Sequence, residues 1–355
     1  MRVLLIHAGI IPHYRIPIYN YIYRYLKNYE FDFIVTSDGI EKESQCEIDF
    51  KYLEVTLSTL NIVRLICRLQ IYVVIDFMEL RHSYMFPTYF FAKIIMGRKM
   101  IYWGQGCDLA DTGAKFKNLA YATEQALADS IILYAEHLKK YIPKQFHDKV
   151  FVANNTLCMS YNGLPPGVKR GDVLTEYGIR TKKNIISMGR IQKRKRLDHL
   201  VEAFVCMDRD DVGLIIVGPD QDGILRKYDG KNIYKLGPLY GDDKFNLLFS
   251  SDVYCLPGAV GLSIIDAFYA GLPFVTEDGD ESAEIMYLKD GVNGFIVPRG
   301  AIQAMAQKLN LLVDDDELRG RFSGAARQEV AENGSIEKLC TGFRDALLFA
   351  TSNVA

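Results

Sequence analysis

Residues 257–273 read Pro-Gly-Ala-Val-Gly-Leu-Ser-Ile-Ile-Asp-Ala-Phe-Tyr-Ala-Gly-Leu-Pro, and this stretch decides the fold. Its turn contains Gly258 and Gly261, and about two turns of apolar helix follow. Gly271 is placed to end that helix in a left-handed C-cap, and Pro273 prevents it from continuing. Because a helix that is apolar on nearly all sides is normally packed inside a protein, the segment predicts a buried helix.

One acidic residue, Asp266, lies on this helix. Burying an unpaired carboxylate is costly, so Asp266 should have a dedicated hydrogen-bond partner, and a bound ligand is one candidate. The N–H groups near Gly261 and Leu262 form a candidate anion site at the helix N-terminus. An anion site followed by a hydroxyl acceptor about one turn later would suit a sugar nucleotide.

Outward from this helix, short apolar runs alternate with helical patterns, which predicts an α/β fold with parallel sheets covered on both faces. The predicted strands are residues 2–6, 31–36, 51–55, 71–75, 100–102, 131–134, 150–152, 184–188, 213–217, 233–236, 253–256, 273–276 and 295–297. The predicted helices are residues 16–27, 60–69, 84–96, 114–128, 135–141, 197–207, 242–249, 262–270, 281–288, 301–313, 315–330 and 336–350.

A Gly/Pro-rich interval at residues 161–171 is the best candidate linker. It predicts two doubly wound domains, residues 1–165 and residues 172–335, with the C-terminal helix 336–355 completing the first. In such folds ligands bind at the carboxyl ends of the strands, here in a cleft between the domains.

The composition excludes several classes of protein. A net charge of -2 argues against a dedicated nucleic-acid binder. Seven scattered cysteines with no CxxC pair suggest neither a disulfide framework nor a zinc site. No signal peptide is recognisable, and no segment reaches the roughly 18 to 20 uninterrupted apolar residues of a membrane span. These features predict a reduced, cytoplasmic protein.

The basic run Arg190–Arg196 follows a predicted strand that ends at Gly189. In isolation such a run is usually a solvated loop. Here it lies between the carboxyl end of a strand and the start of a helix, where open α/β sheets bind phosphorylated ligands. Arginine can hold phosphate through two donors and lysine acts as a point charge, so the position favours a diphosphate site.

Several motifs in order resemble family 4 of the glycosyltransferases. They are Gly189-Arg190 followed by Lys195, Leu214–Gly218, Leu236-Gly237, Pro257–Pro273 and Asp290–Gly294. The resemblance implies the GT-B fold of two facing Rossmann-like domains, the first on the acceptor side and the second binding a nucleotide sugar. It implies further that Arg190 and Lys195 hold the diphosphate, and that a UDP- or GDP-sugar is transferred with retention, usually without a bound metal.

Charge considerations agree with that implication, because fixed cations and helix-end N–H groups stabilise charge as it develops on a departing diphosphate. Arg190 and Lys195 supply such charge, so we expect no metal and no other cofactor. Asp278 and Asp280 have the Asp-x-Asp spacing, but we interpret them as loop residues. Backbone near Leu236 and Gly237 is the candidate for selecting the base.

The chain departs from the family at one position. Family members commonly carry two glutamates eight positions apart around this turn and helix, and the corresponding positions here are Gly258 and Asp266. The resemblance implies that Asp266 accepts from the ribose hydroxyls. With no carboxylate at Gly258, contacts to the donor sugar would come from backbone N–H groups of residues 258–262 or from another residue, such as Glu281 or Glu284.

In the first domain, five polar residues follow predicted strands and are candidates for the acceptor or sugar side of the cleft: His13, Tyr14, Arg15, Gln105 and Asp108. Relatives often have a histidine where this chain has Gln105. Because glutamine does not titrate, we expect hydrogen bonding rather than proton transfer there. Each of the five is equally compatible with an ordinary loop position.

These features predict a retaining glycosyltransferase that acts on a glycan or lipid-linked acceptor in bacterial surface polysaccharide synthesis. One alternative is a sugar-nucleotide epimerase on the same fold, and another is a non-catalytic nucleotide-sugar-binding partner protein. Tyrosines beside Arg15, Arg24 and Lys27 in residues 14–29 could dock on an anionic membrane at the inner face of the plasma membrane. The same segment is typical of a half-buried helix, which we favour.

Overall fold

A computed structural model describes residues 1–41, 47–77, 85–109, 111–159, 163–220, 223–279 and 282–352. The chain divides into two compact units. Unit 1 is Met1–Cys158 together with Gly334–Ala355, and unit 2 is Met159–Asn333. The predicted linker at 161–171 therefore belongs to unit 2, and its last residues already begin a helix at Arg170.

Unit 1 is built on a parallel sheet. Its strands are β1 (Arg2–His7), β2 (Ile10–Ile11), β3 (Asp32–Ser37), β4 (Gly39–Ile40), β5 (Lys51–Glu54), β6 (Val73–Phe77), β7 (Lys99–Gly104), β8 (Ser130–Leu133) and β9 (Val150–Val152). Seven of these described strands form one sheet in the order β5-β3-β1-β6-β7-β8-β9, and β2 pairs with β4. Leu4 of β1 is in register with Ile34 of β3 and Val74 of β6, and all three are buried, as a sheet covered on both faces requires.

Helices cover this sheet. They are α1 (Arg15–Lys27), α2 (Thr59–Leu69), α3 (Met85–Tyr89) and α4 (Lys115–Leu127). The predicted helix 84–96 is α-helical only at its start; the chain continues from α3 as a π-helix, Phe90–Ile95, and residue 84 lies outside the described residues. Residues 136–141, predicted as helix, are a 3-10 helix.

Unit 2 repeats the same architecture. Its strands are β10 (Lys183–Met188), β11 (Val212–Val217), β12 (Ile233–Leu236), β13 (Val253–Cys255), β14 (Phe274–Glu277) and β15 (Gly294–Val297). Its helices are α5 (Arg170–Glu176), α6 (Leu197–Met207), α7 (Gly241–Phe249), α8 (Ser263–Ala270), α9 (Ile302–Asp314) and α10 (Asp316–Asn333). The described strands form a parallel sheet in the order β12-β11-β10-β13-β14-β15.

Helix α8 is the helix predicted from residues 257–273. Its side chains Ile264, Ile265 and Phe268 are buried, which confirms the prediction of a buried helix. Gly271 takes φ 75° at the C-cap, and the helix ends at Ala270. The predicted cap is therefore confirmed.

The C-terminal helix α11 (Ile336–Thr351) returns to unit 1 and packs on the side of its sheet next to α1. The Tyr21 hydroxyl donates to Glu337 over 2.7 Å, and Arg344 donates to the Tyr25 hydroxyl over 3.2 Å. The tyrosines of α1 that face α11 thus belong to a half-buried helix, the interpretation that the sequence favoured. None of the described helices is both long and apolar enough to cross a membrane.

Candidate functional site

Several of the predicted donor-binding residues lie at the carboxyl edge of the unit 2 sheet. Gly189 and Arg190 follow β10, Leu236 and Gly237 lie at the end of β12, and residues 257–262 follow β13. Because these strands are parallel, their carboxyl ends share one edge of the sheet. Gly237 directly follows β12, the edge strand of the sheet, and β11 separates β12 from the strand before Gly189.

Two glycines allow the backbone to pack closely at this edge. Gly189 takes φ 128°, a conformation that favours glycine. A Cβ on Gly218 would lie 2.1 Å from the Gly189 carbonyl oxygen, so a side chain there would force the two segments apart. Arg190, the next residue, is exposed.

Lys195 is buried at the centre of this arrangement. Its Nζ donates to the carbonyl oxygens of Ala259 and Val260, the latter over 3.3 Å. Burial, assisted by the positive charges of Arg194 and Arg190, lowers the pKa of Lys195 to about 8, and the negative charge of Glu284 opposes the shift. The ammonium therefore lies against the glycine-rich turn and loses its proton more readily than an exposed lysine.

The turn is fixed by the same segment that carries Lys195. Gly258 N–H donates to the Lys195 carbonyl over 2.9 Å, and Ala259 N–H donates to the Arg194 carbonyl over 3.0 Å. Gly261 N–H donates to the Ser282 hydroxyl over 2.9 Å. The expectation that N–H groups of Gly258 and Gly261 are open to an anion or a sugar is wrong for these two donors, because protein acceptors already occupy them.

Gly258 is packed too closely for any side chain. A Cβ there would lie 2.0 Å from the Arg194 carbonyl oxygen and 2.7 Å from the Lys195 Cα. Both atoms belong to the backbone, so neither can swing away. The glycine at the position of the family's first glutamate is thus required by the packing of the turn against residues 194–195.

Glu284 belongs to the same cluster. It is buried in the 3-10 helix Ala283–Tyr287 and accepts from the Ser282 hydroxyl, which also receives the Gly261 N–H. Ser282 lines a small pocket together with Gly258 and Asp278. The other candidate, Glu281, lies outside the described residues.

Asp266 has a protein partner. The Lys244 ammonium on α7 donates to its carboxylate over 2.6 Å, and both side chains are largely buried. The dedicated partner expected for Asp266 is therefore a lysine. Nothing in the sequence around Lys244 distinguished it from other helix-surface lysines, because the pairing joins two helices.

A buried ion cluster beneath the turn was not predicted. The Arg196 guanidinium lies 2.9 Å from the Glu277 carboxylate and donates to the Pro257 carbonyl over 2.8 Å. Glu277 also contacts His199 Nδ1 at 2.7 Å. A carboxylate at the end of an apolar strand is the signal that could have found it, since such a charge needs a cation close by.

The candidates in unit 1 fall into two environments. His13 pairs with Glu41 through Nδ1 at 2.9 Å and stays half-exposed, as does Gln105. Asp108 pairs with Lys117 at 2.7 Å. Gln105 and Asp108 lie after β7, as the sequence predicted, whereas His13 lies after β2, a short strand that was not predicted.

Arg15 is placed differently from the expectation of a cleft-facing loop residue. It begins α1 and is buried, with its guanidinium carbon 5.3 Å from the Trp103 ring centroid and 5.7 Å from that of Tyr14. Burial together with the positive charge of Arg15 lowers the pKa of neighbouring His7 to about 3. The packing of this guanidinium against aromatic rings makes Arg15 part of the interior of unit 1.

Within the parts of the chain that the structure describes, no three His, Cys, Asp or Glu side chains lie together as a metal site requires. Asp280, one half of the Asp-x-Asp spacing, falls outside those parts.

Comparison with known proteins finds a family match within unit 2. Residues 174–329 match the family model described as "Glycosyl transferases group 1". The matched residues all lie within unit 2. Phosphatidyl-myo-inositol mannosyltransferase of Mycobacterium leprae is 32% identical over 163 residues, 42% of this chain and 42% of the relative. Poly(ribitol-phosphate) alpha-N-acetylglucosaminyltransferase of Staphylococcus aureus is 26% identical over 243 residues, 64% of this chain and 46% of the relative.

The chain spans less than half the length of these curated relatives, but solved structures align with nearly all of it. A glycosyltransferase from Rickettsia africae gives a TM-score of 0.76 at 16% identity, covering 99% of each chain. Anabaena HepE in complex with UDP-glucose gives 0.75 at 15% identity, covering 98% of this chain and 99% of that one. The chain therefore shares the fold of these structures, and the predicted GT-B fold is confirmed.

Proposed function

We propose that this protein is a retaining glycosyltransferase that takes a sugar from a nucleoside diphosphate sugar. The observation that carries the proposal is the meeting of Arg190, Lys195 and the turn 257–262 at the carboxyl edge of one parallel sheet. A buried ammonium next to an exposed guanidinium provides fixed positive charge where a diphosphate would leave. In this proposal Asp266, held by Lys244, accepts from the ribose.

The charge that these two residues supply would make a bound metal unnecessary, and we propose metal-independent transfer. UDP is the nucleotide named for the HepE neighbour, and GDP is the other candidate. Relatives that act on phosphatidyl-myo-inositol and on poly(ribitol-phosphate) support a lipid-linked or glycan acceptor. The role in surface polysaccharide synthesis is part of the same proposal.

The test is incubation of the protein with a panel of UDP- and GDP-sugars, with and without EDTA, followed by nucleotide release and product mass. Release of nucleotide from one donor, with product of retained configuration, supports the proposal. Epimerised donor without release would instead identify an epimerase, and binding without turnover would identify a non-catalytic partner protein.

Arg190→Ala should lower the turnover of that donor by about a hundredfold or more, the usual cost of one electrostatic donor to a leaving group. Lys193→Ala is the matched control, because Lys193 is an exposed cation of the same basic run. Equal turnover in the two variants would remove Arg190 from the proposed diphosphate site.

A further inference from the structure

The outward face of the helix that links β6 to β7 is apolar. Across α3 and its π-helical continuation, Tyr89 and Ala92 are buried in the core that covers the sheet. The exposed side chains of the same segment are also large and hydrophobic: Phe86, Phe90, Phe91, Ile94 and Ile95. An ordinary surface helix is polar on its outer face, so this one is hydrophobic on both sides.

The neighbouring helix extends this surface. Helix α4 packs beside α3, and its first turn carries Phe116, which is 91% exposed. We call Phe86, Phe90, Phe91, Ile94, Ile95 and Phe116 the apolar surface of unit 1. Single exposed hydrophobic residues are normal on proteins, but a group on adjoining helices marks a place where something binds.

On the described helices that carry or flank the apolar surface, the exposed charged side chains are positive. Helix α2 packs against α3 and carries exposed Arg64 and Arg68, and α4 carries exposed Lys115. The acidic side chain within α2, α3, the π-helix and α4 is Glu124, and it is fully buried. A partner must therefore be apolar at its centre and tolerate positive charge at its rim.

We infer that the apolar surface docks on an anionic lipid bilayer. Its phenylalanines and isoleucines would enter the boundary between headgroups and acyl chains, and Arg64, Arg68 and Lys115 would face the anionic headgroups. A second copy of the chain fits less well, because a symmetric pair would bring the same basic rims together. This inference concerns binding alone and does not depend on the proposed reaction.

Helix α1 is the other place where aromatic and basic residues meet, and the sequence singled it out for the same role. Its Tyr21 and Tyr25 are engaged by α11, as described above. Arg24 and Lys27 remain exposed at its end. If the apolar surface is the docking site, substitutions at Ile94 and Ile95 should weaken membrane binding, whereas substitutions at Arg24 and Lys27 should not.

The experiment is co-sedimentation of the full chain with vesicles of phosphatidylcholine, with or without phosphatidylglycerol. The wild-type protein should bind the anionic vesicles, and binding should weaken as salt is raised. Ile94→Glu combined with Ile95→Glu should reduce the bound fraction about tenfold or more, since two apolar contacts become repelled charges. Val205→Glu, at a 65% exposed position of unit 2, is the matched control and should bind like wild type.

Circular dichroism melting of each variant separates lost docking from lost folding, and Phe116→Ser gives a second, milder change on α4. Failure of the wild type to bind anionic vesicles would overturn the inference. So would normal binding by a folded Ile94→Glu, Ile95→Glu variant, or loss of binding in Arg24→Ser combined with Lys27→Ser. Self-association of the wild type that this variant abolishes, without vesicle binding, would assign the surface to a second copy.

Discussion

Gly258 decides how the turn meets residues 194–195, and its substitution tests that packing. A Cβ would lie 2.0 Å from the Arg194 carbonyl oxygen, so Gly258→Ala must push the turn away from the segment that carries Lys195. We expect Gly258→Ala to lower the free energy of unfolding by about 1–3 kcal/mol, as overpacked sites do. Thermal or denaturant unfolding of unit 2 measures the effect.

Gly320→Ala is the control for Gly258→Ala. Its Cβ would have no neighbour within 4 Å, and alanine is the better residue inside helix α10. We expect this variant to be as stable as wild type or more so. A Gly258→Ala protein with wild-type stability would show that the turn can move, and the absence of the first glutamate would then need another explanation than packing.

The pKa of Lys195 makes a prediction about nucleotide affinity. Burial lowers that pKa to about 8, so the free protein loses the Lys195 charge as the pH rises through about 8. A diphosphate binds the protonated form more strongly. Its affinity should therefore fall above about pH 8, by up to about tenfold per pH unit. Calorimetric titration with UDP and GDP across the pH range measures this dependence.

Lys195→Met is the matched variant for this pH series, because methionine has an unbranched side chain of similar size without the charge. We expect weaker nucleotide binding that no longer changes with pH above about 7. Wild-type affinity that stays constant through the same range would mean that Lys195 does not face the diphosphate.

At the level of elements, apolar periodicity predicted most of the strands and helices. Runs such as residues 184–188 and 213–217 are buried on both faces, and that burial appears directly in their composition. Helix α5 was not predicted, because it begins at the end of a Gly/Pro-rich interval whose composition is typical of a loop. The π-helix was not predicted, because Phe90–Ile95 continues the apolar pattern of α3 and composition does not indicate a change of hydrogen-bond register.

Of the candidate site, the sequence predicted the segments but not the contacts between them. Motif order indicated Arg190, Lys195 and the turn after β13, which share one edge of the sheet. The pairing of Lys244 with Asp266 and of Arg196 with Glu277 joins residues distant in sequence, and it depends on how α7 and β14 pack. The clash that requires Gly258 is likewise a property of two backbones in contact.

Strand β6 and helix α4 of unit 1 each carry a buried carboxyl group, Asp76 and Glu124. Burial raises the pKa of Asp76 to about 8, and burial together with the charge of Asp76 raises the pKa of Glu124 to about 9. Both groups are neutral at low pH in the folded protein. Their contribution to stability is therefore complete below about pH 4 and is lost as the pH rises toward 8 and 9.

Asp76→Asn combined with Glu124→Gln should remove this dependence. We expect the variant to match wild type near pH 4 to 5 and to be more stable at pH 8, with the gap growing by up to about 1.4 kcal/mol per pH unit for each group. The single tryptophan, Trp103, is buried in unit 1, so its fluorescence follows the unfolding of that unit. A gap that does not change with pH would contradict the buried neutral pair.

At the scale of the whole molecule, the two units differ in how the chain forms them. Unit 2 is one continuous segment, residues 159–333, whereas unit 1 needs the C-terminal helix to close its sheet. Phe343 of α11 lies 4.8 Å from the Trp103 ring, and the Ser130 hydroxyl donates to the Ala346 carbonyl over 3.0 Å. Loss of α11 would expose this part of the unit 1 core to water.

This asymmetry predicts the behaviour of two truncated proteins. Residues 159–333 alone should unfold cooperatively and bind the nucleotide with the affinity of the full chain, because the proposed donor residues 189–284 all lie within them. Residues 1–333 should keep that binding but show an earlier loss of Trp103 fluorescence on heating, since α11 is missing from unit 1. Nucleotide binding that requires unit 1 would place part of the donor site outside unit 2, and an unchanged Trp103 transition would show that α11 contributes little to the core.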